Sequence, residues 1–175
     1  MNEVIKAMKE RRSIRRFKPG MPEKEKIQEI LDAGLYAASG RGRQAVVTVA
    51  ITNKTLRDKL SEVNRKIGGW QEGFDPFYGA PVILVVLADK SCPTYLYDGS
   101  LVMGNLMLAA HSLGLGSIWI HRAKEEFELP EYKQLLRDLG LSGNYEGIGH
   151  CAIGFIDGEI PAPAERKPNR ILTVS

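Results

Sequence analysis

The sharpest chemical feature of the sequence is Arg11-Arg12-Ser13-Ile14-Arg15-Arg16, which crowds four guanidiniums and one hydroxyl into a short run. Each guanidinium presents a planar fork of N–H donors that matches phosphate oxygens. A terminal phosphate with about two negative charges is met by two or three such forks and a hydroxyl. The same run could be a solvated basic turn or a nucleic-acid contact patch, because basic clusters are common and weakly informative. From the cluster alone these three readings stay open.

Other candidate chemistry is weaker. Gly114-Leu115-Gly116 has the opening spacing of a dinucleotide fingerprint but lacks the third glycine. It also follows a helical stretch and leads into a strand, the reverse of the strand-to-helix context that brings pyrophosphate to a helix N-terminus. A nicotinamide cofactor would therefore visit rather than reside. His111, His121 and His150 lack metal-ligand spacing, so no metal is expected. Ser13, Ser39 and Ser117 lack the strained elbow of a hydrolase nucleophile.

Composition bounds the class. The chain has 175 residues, 43% of them hydrophobic and 26% charged, which suits one domain over residues 1–175 around one core. A net charge of +3 is too small for a general nucleic-acid footprint. Cys92 and Cys151 stand far apart, giving neither a disulfide framework nor a metal knuckle, and a reducing cytoplasm fits them. No apolar leader region or bilayer-length apolar stretch is evident, so neither export nor a membrane partner is expected.

The elements that must position these residues follow from hydrophobic period. Val4, Ile5 and Met8 predict a helix to about Arg11; Ile27, Ile30, Leu31, Gly34, Leu35 and Ala38 predict another from Pro22 to Ala38. Val46 to Ile51 reads as a strand, and Leu56, Leu60, Val63 and Ile67 as a helix stopped by Gly68 and Gly69. Pro81 to Ala88 is continuously apolar, the pattern of a central strand covered on both faces. Tyr97 to Leu113 is apolar nearly all round and must be buried on every side, most economically at a subunit interface; the centre of a monomer is the alternative. Ser117 to Ile120 and Cys151 to Ile156 read as strands, with a helix from Pro130 to Leu139 between them. The alternation places most strands in one mixed sheet with helices on its faces. The proline-rich stretch Pro161 to Pro168 reads as an extended arm that wraps a surface.

Five segments taken in order, RRSIRRF, ASGRGRQ, YGAPVILVV, AAHSLGLGSIWI and RKP around Arg166, together resemble the nitroreductase family over nearly the whole chain. The resemblance implies an α+β fold with a mixed central sheet flanked by helices. It also implies an intertwined homodimer with FMN at shared sites, and NADH or NADPH as transient electron donor. By position, Arg11, Arg12 and Ser13 resemble the residues that hold the FMN phosphate and ribityl chain, and Arg166 with Lys167 resembles a C-terminal phosphate clamp. Arg15 matches the basic residue beside flavin N1 and O2. Ile120 and His121 match the strand end passing the flavin face, with the His121 backbone N–H as donor to N5. Ser39, Gly40, Arg41 and Gln44 match a loop contributed by the partner subunit, and Asn64 an asparagine near the pyrimidine edge.

Some positions depart from the family's pattern. Ala38, Gly42, Ala45 and Val46 replace its proline, asparagine, proline and tryptophan, so the shape of that loop does not carry over. Arg122 stands where glycine is frequent. With the His121 imidazole it points to anionic substrates or a nicotinamide phosphate, unless it simply faces solvent. Trp70, Phe74, Phe77 and Tyr78 read either as a mobile cover over the flavin or as a hydrophobic plug under a loop. The implied activity passes a hydride from NAD(P)H to FMN and then to a small oxidised acceptor in ping-pong order. A flavin reductase or specialised reductase on the same scaffold is the alternative within enzymes. From another class, the alternative is a non-catalytic regulatory or nucleic-acid-binding domain that uses RRSIRRF as its contact patch.

Overall fold

Polar caps fix two of the helix starts in the computed structural model, which describes residues 1–174. Asn2 accepts hydrogen bonds from the Val4 and Ile5 N–H groups and opens α1 (Glu3–Glu10), leaving the cluster Arg11 to Arg16 just beyond its end. Asn53 accepts from the Leu56 N–H and opens α3 (Lys54–Gly68), which Gly69 ends in the left-handed region at φ 69°. The other helices are α2 (Lys24–Leu35), α4 (Tyr95–Ser112), α5 (Ala123–Phe127) and α6 (Pro130–Asp138).

The strands β1 (Val46–Ile51), β2 (Val82–Asp89), β3 (Gly116–Ile120) and β4 (Tyr145–Gly154) form one sheet in the order β1-β2-β4-β3. They pair antiparallel throughout, in place of the expected mixed sheet; the one parallel pairing among the described residues is an isolated bridge from Ser13 to Ser117, outside the strand ladders. β2 is central, as its unbroken apolar run predicts, and its side chains alternate between two cores. Ile83, Val85 and Leu87 pack with Leu60 of α3, Phe127 of α5 and Tyr132 and Leu136 of α6. Val82, Leu84 and Val86 pack with Ile27 and Ile30 of α2 and with Val102, Met103 and Leu106 of α4. The sheet is thus the middle of three layers.

Two differences from the sequence reading have local causes. β4 begins at Tyr145, ahead of the expected Cys151, because Gly147 and Gly149 dilute its β signal. Both glycines are required by close approach: an added Cβ would lie 2.2 Å from the Ala123 carbonyl oxygen at Gly147 and 2.2 Å from Trp119 Nε1 at Gly149. The five-residue helix α5 is too short to show a period.

The inner face of α4 is buried as expected, but Leu96 (47% exposed), Tyr97 (73%) and Leu101 (49%) remain open in the single chain. Val4, Ile5 and Met8 of α1 are exposed as well. A groove of about 420 Å³ runs between the two helices, lined by Val4, Ala7, Leu108 and Ala109 among others. Residues 158–174 are exposed and carry neither helix nor strand. No helix among the described residues is long and apolar enough to cross a membrane.

Candidate active site

The end of β3 is the floor of a cleft of about 230 Å³. Ile118, Trp119, Ile120, His121 and Arg122 line it, with Arg15 arriving from the segment after α1 and Asn64 from α3. Trp70, Phe74, Pro76 and Tyr78 form an aromatic wall from the connection between α3 and β2. Arg15 reaches this place because its neighbours are tied to the sheet: Ser13 bridges Ser117 beside β3, and Phe17 bridges Ile156. Its guanidinium is exposed and makes no salt bridge among the described residues.

The aromatic wall is anchored by Asp75. Its carboxylate accepts from Arg57 Nη2, from Ser61 Oγ at 2.6 Å, and from the N–H groups of Phe77 (2.9 Å) and Gly79 (2.7 Å). Arg57 also donates to the Ala80 carbonyl at 3.0 Å, and its side chain is only 10% exposed. Burial works to raise the Asp75 carboxyl, but the hydrogen bonds from Arg57 and Ser61 outweigh it and hold the group below the usual carboxylate range. Phe77 is fully buried in the core, whereas Trp70 is half exposed and Phe74 and Tyr78 line the cleft. One stretch therefore supplies both a plug and a wall.

Asn64 is buried and its Nδ2 donates to the His121 carbonyl at 2.8 Å. The asparagine expected near a pyrimidine edge thus also holds the strand end in place. The His121 N–H has no backbone partner among the described residues. Arg122 adopts φ 84°, the left-handed conformation in which glycine is at ease, and its guanidinium lies 3.8 Å from Glu125. Cys151 offers no nucleophile, because burial pushes its thiol up to about 12.

The remaining sequence candidates lie elsewhere on the chain. Arg12 Nη1 donates to the carbonyls of Lys9 (2.6 Å) and Arg11 (2.7 Å), closing the end of α1. Arg12 Nε and Arg11 Nη1 are buried with no partner among the described residues. Buried unmatched donors beside the Ser13 hydroxyl fit an anionic group such as a phosphate. Ser39 and Gln44 line a separate pocket of about 240 Å³ beneath α2 and α4, and Gly40 and Arg41 line another with Cys92 and Thr94. Asp98 of α4, buried, sets this loop by accepting from the Gly40 N–H at 3.1 Å and the Thr94 hydroxyl at 3.0 Å. Arg41 and Gln44 take left-handed φ of 55° and 49° there. Arg166 and Lys167 lie in the exposed tail and are not among the cleft's lining residues.

Sequence reading missed Glu126 and gave His150 no role. Both are 0% exposed behind the cleft floor, with His150 Nε2 2.6 Å from Glu126 Oε2. The available signal was a histidine set among the apolar residues of β4.

A helix-flanked sheet of this order, with an aromatic and cationic cleft at the end of β3, is an α+β architecture shared with solved nitroreductases. The chain belongs to the nitroreductase family, whose model matches residues 8–155. It resembles an FMN-bound nitroreductase of Bacteroides fragilis (27% identity, TM-score 0.91, all of both chains). An FMN-bound nitroreductase of Desulfitobacterium hafniense is also similar (28% identity, TM-score 0.89, all of both chains). An FMN reductase (NAD(P)H) of Bacillus subtilis is 29% identical over 161 residues, 75% of this chain and 62% of the reductase.

Proposed function

We propose that this chain is an FMN-dependent oxidoreductase that takes a hydride from NADH or NADPH and delivers it to a small oxidised acceptor, such as a nitroaromatic or a quinone, in ping-pong order. The observation that carries the reading is the convergence of Arg15, Asn64, Ile120 and His121 on one aromatic-walled cleft. FMN would supply the hydride-accepting ring. The unmatched donors of Arg11 and Arg12, with Ser13, fit its phosphate. Arg15 is a cation at the cleft that would stabilise negative charge on a reduced ring, and the free His121 N–H is a donor at the cleft floor. The aromatic wall keeps water from the ring face.

A homodimer with shared sites is part of the proposal. Ser39, Gly40, Arg41 and Gln44 lie apart from the cleft, as do Arg166 and Lys167 in the tail, so a second copy would have to bring its own set to the first copy's cleft. The exposed apolar residues of α1 and α4 offer the surface on which the copies meet. Cys92 and Cys151, both free and buried, suit a cytoplasmic location.

The test is colour and turnover. The purified protein is expected to be yellow, to release FMN on denaturation, and to bleach when NADH or NADPH is added without oxygen. A colourless protein that takes up no added FMN overturns the proposal.

A further inference from the structure

We infer that His150 and Glu126 are positioning residues that, with Asn64, hold the peptides at the end of β3 so that the His121 N–H faces the cleft. The inference rests on the FMN reading above. His150 Nδ1 lies 3.3 Å from the Ile120 carbonyl oxygen. A carbonyl only accepts, so Nδ1 carries a proton and donates it. Nε2 then lies 2.6 Å from Glu126 Oε2. The approach is close but not aligned as a hydrogen bond, and neither Glu126 oxygen has another partner among the described residues.

A buried pair of this kind costs desolvation, and well-packed apolar side chains in its place are often as stable or more so. Core packing therefore does not account for it. What it touches does. In a trans peptide the C=O and the following N–H point in opposite directions. The β3–β4 register already turns the Ile120 carbonyl toward β4, and His150 Nδ1 adds a side-chain hold on the same oxygen, so the His121 N–H faces outward, where it has no backbone partner and its residue lines the cleft. Asn64 Nδ2 holds the next carbonyl, that of His121, at 2.8 Å. The Phe77 ring, centred 5.2 Å from the imidazole, limits its rotation, and Glu126 fixes which nitrogen faces Ile120. Glu126 acts from α5, which packs against β4, so the helix is coupled to the cleft floor.

The test is the double variant His150→Leu with Glu126→Met, which removes both polar groups at similar volume and leaves no stranded charge. It is expected to fold and to bind FMN. Flavin N5 accepts a hydrogen bond in the oxidised ring and carries its own proton in the reduced ring, so losing an aimed donor weakens the oxidised complex more. A ten-fold loss of affinity for oxidised over reduced FMN raises the midpoint potential by about 30 mV. A role confined to folding would lower thermal stability without that rise.

Hydrogen exchange of the holoenzyme supplies a second readout. The His121 amide should exchange at least ten-fold faster in the double variant while Ser117 and Trp119 in the same strand do not change. Glu126→Gln carries the exchange measurement if the double variant does not fold. A parent that holds FMN beside variants with unchanged potential and unchanged His121 exchange overturns the positioning role alone. A parent that binds no FMN overturns the functional reading and this inference together.

Discussion

Arg15 and Arg122 flank the same cleft but bear on different properties. Arg15 makes no salt bridge among the described residues, so its charge is available to whatever occupies the cleft. Arg15→Gln removes the charge and keeps a donor, which should disfavour an anionic reduced flavin by about 1 to 3 kcal/mol. For a two-electron couple the midpoint potential should then fall by roughly 20 to 65 mV, read by spectroscopic redox titration. An unchanged potential with weakened FMN affinity would place Arg15 with the phosphate donors instead. Arg122 is held at φ 84°. Relief of left-handed strain exceeds the entropy that glycine adds to the unfolded chain, so Arg122→Gly should stabilise the protein by about 0.5 kcal/mol in urea unfolding. The same change should lower kcat/KM for a carboxylated nitroaromatic by about two- to five-fold, the size of a half-exposed ion pair, and spare a neutral one. Equal loss on both acceptors would deny Arg122 a part in substrate charge selection.

At the scale of elements, α3 holds the aromatic wall through Arg57, Ser61 and Asp75. Asp75→Asn should lower stability by about 1.5 to 3 kcal/mol, the range for hydrogen bonds to a charged group, and open the 70–79 connection to limited proteolysis. The pH dependence has a definite sign. The folded Asp75 carboxyl lies below its ordinary 3.8, so its contribution is complete above that value and is lost as pH falls below about 4 toward the depressed folded pKa. Parent and Asp75→Asn should converge in stability there; a constant gap down to acid pH would remove Asp75 from the acid response. These ties also show where sequence reading reaches its limit. β1 and β2 were legible because β-branched and apolar runs carry their own signal, whereas the meeting of Arg15, Asn64, Ile120 and His121 in one cleft is a product of the folded chain. The first part of β4 was not legible, since its glycines serve Ala123 and Trp119 across space. The same holds for Arg57 with Asp75 and His150 with Glu126. Each pairs residues of ordinary type whose proximity exists only once α3 or α5 has packed.

For the whole molecule, the division of candidate residues between a cleft, a loop tied to the first turn of α4 and an exposed tail is the feature a monomer leaves without purpose. Leu101 sits on the outer face of α4, half exposed, on the same face as Tyr97 and near the α1 groove. Burying side chains such as these stabilises association by about 1.5 to 3 kcal/mol for each one fully covered, less for those already half covered. A carboxylate placed among them faces a desolvation cost of several kcal/mol, enough to outweigh that gain locally. Leu101→Glu should therefore dissociate the protein, with sedimentation velocity at micromolar concentration showing a single-chain species where the parent sediments as a pair. In the proposed shared sites Ser39, Gln44 and Arg166 come from the second copy, so FMN affinity should fall with dissociation, and raising protein concentration should restore both together. Flavin titration and sedimentation on the same samples separate the outcomes. A Leu101→Glu chain that sediments as the parent does would move the interface off α4, and a monomer that keeps FMN at parental affinity would end the shared-site model.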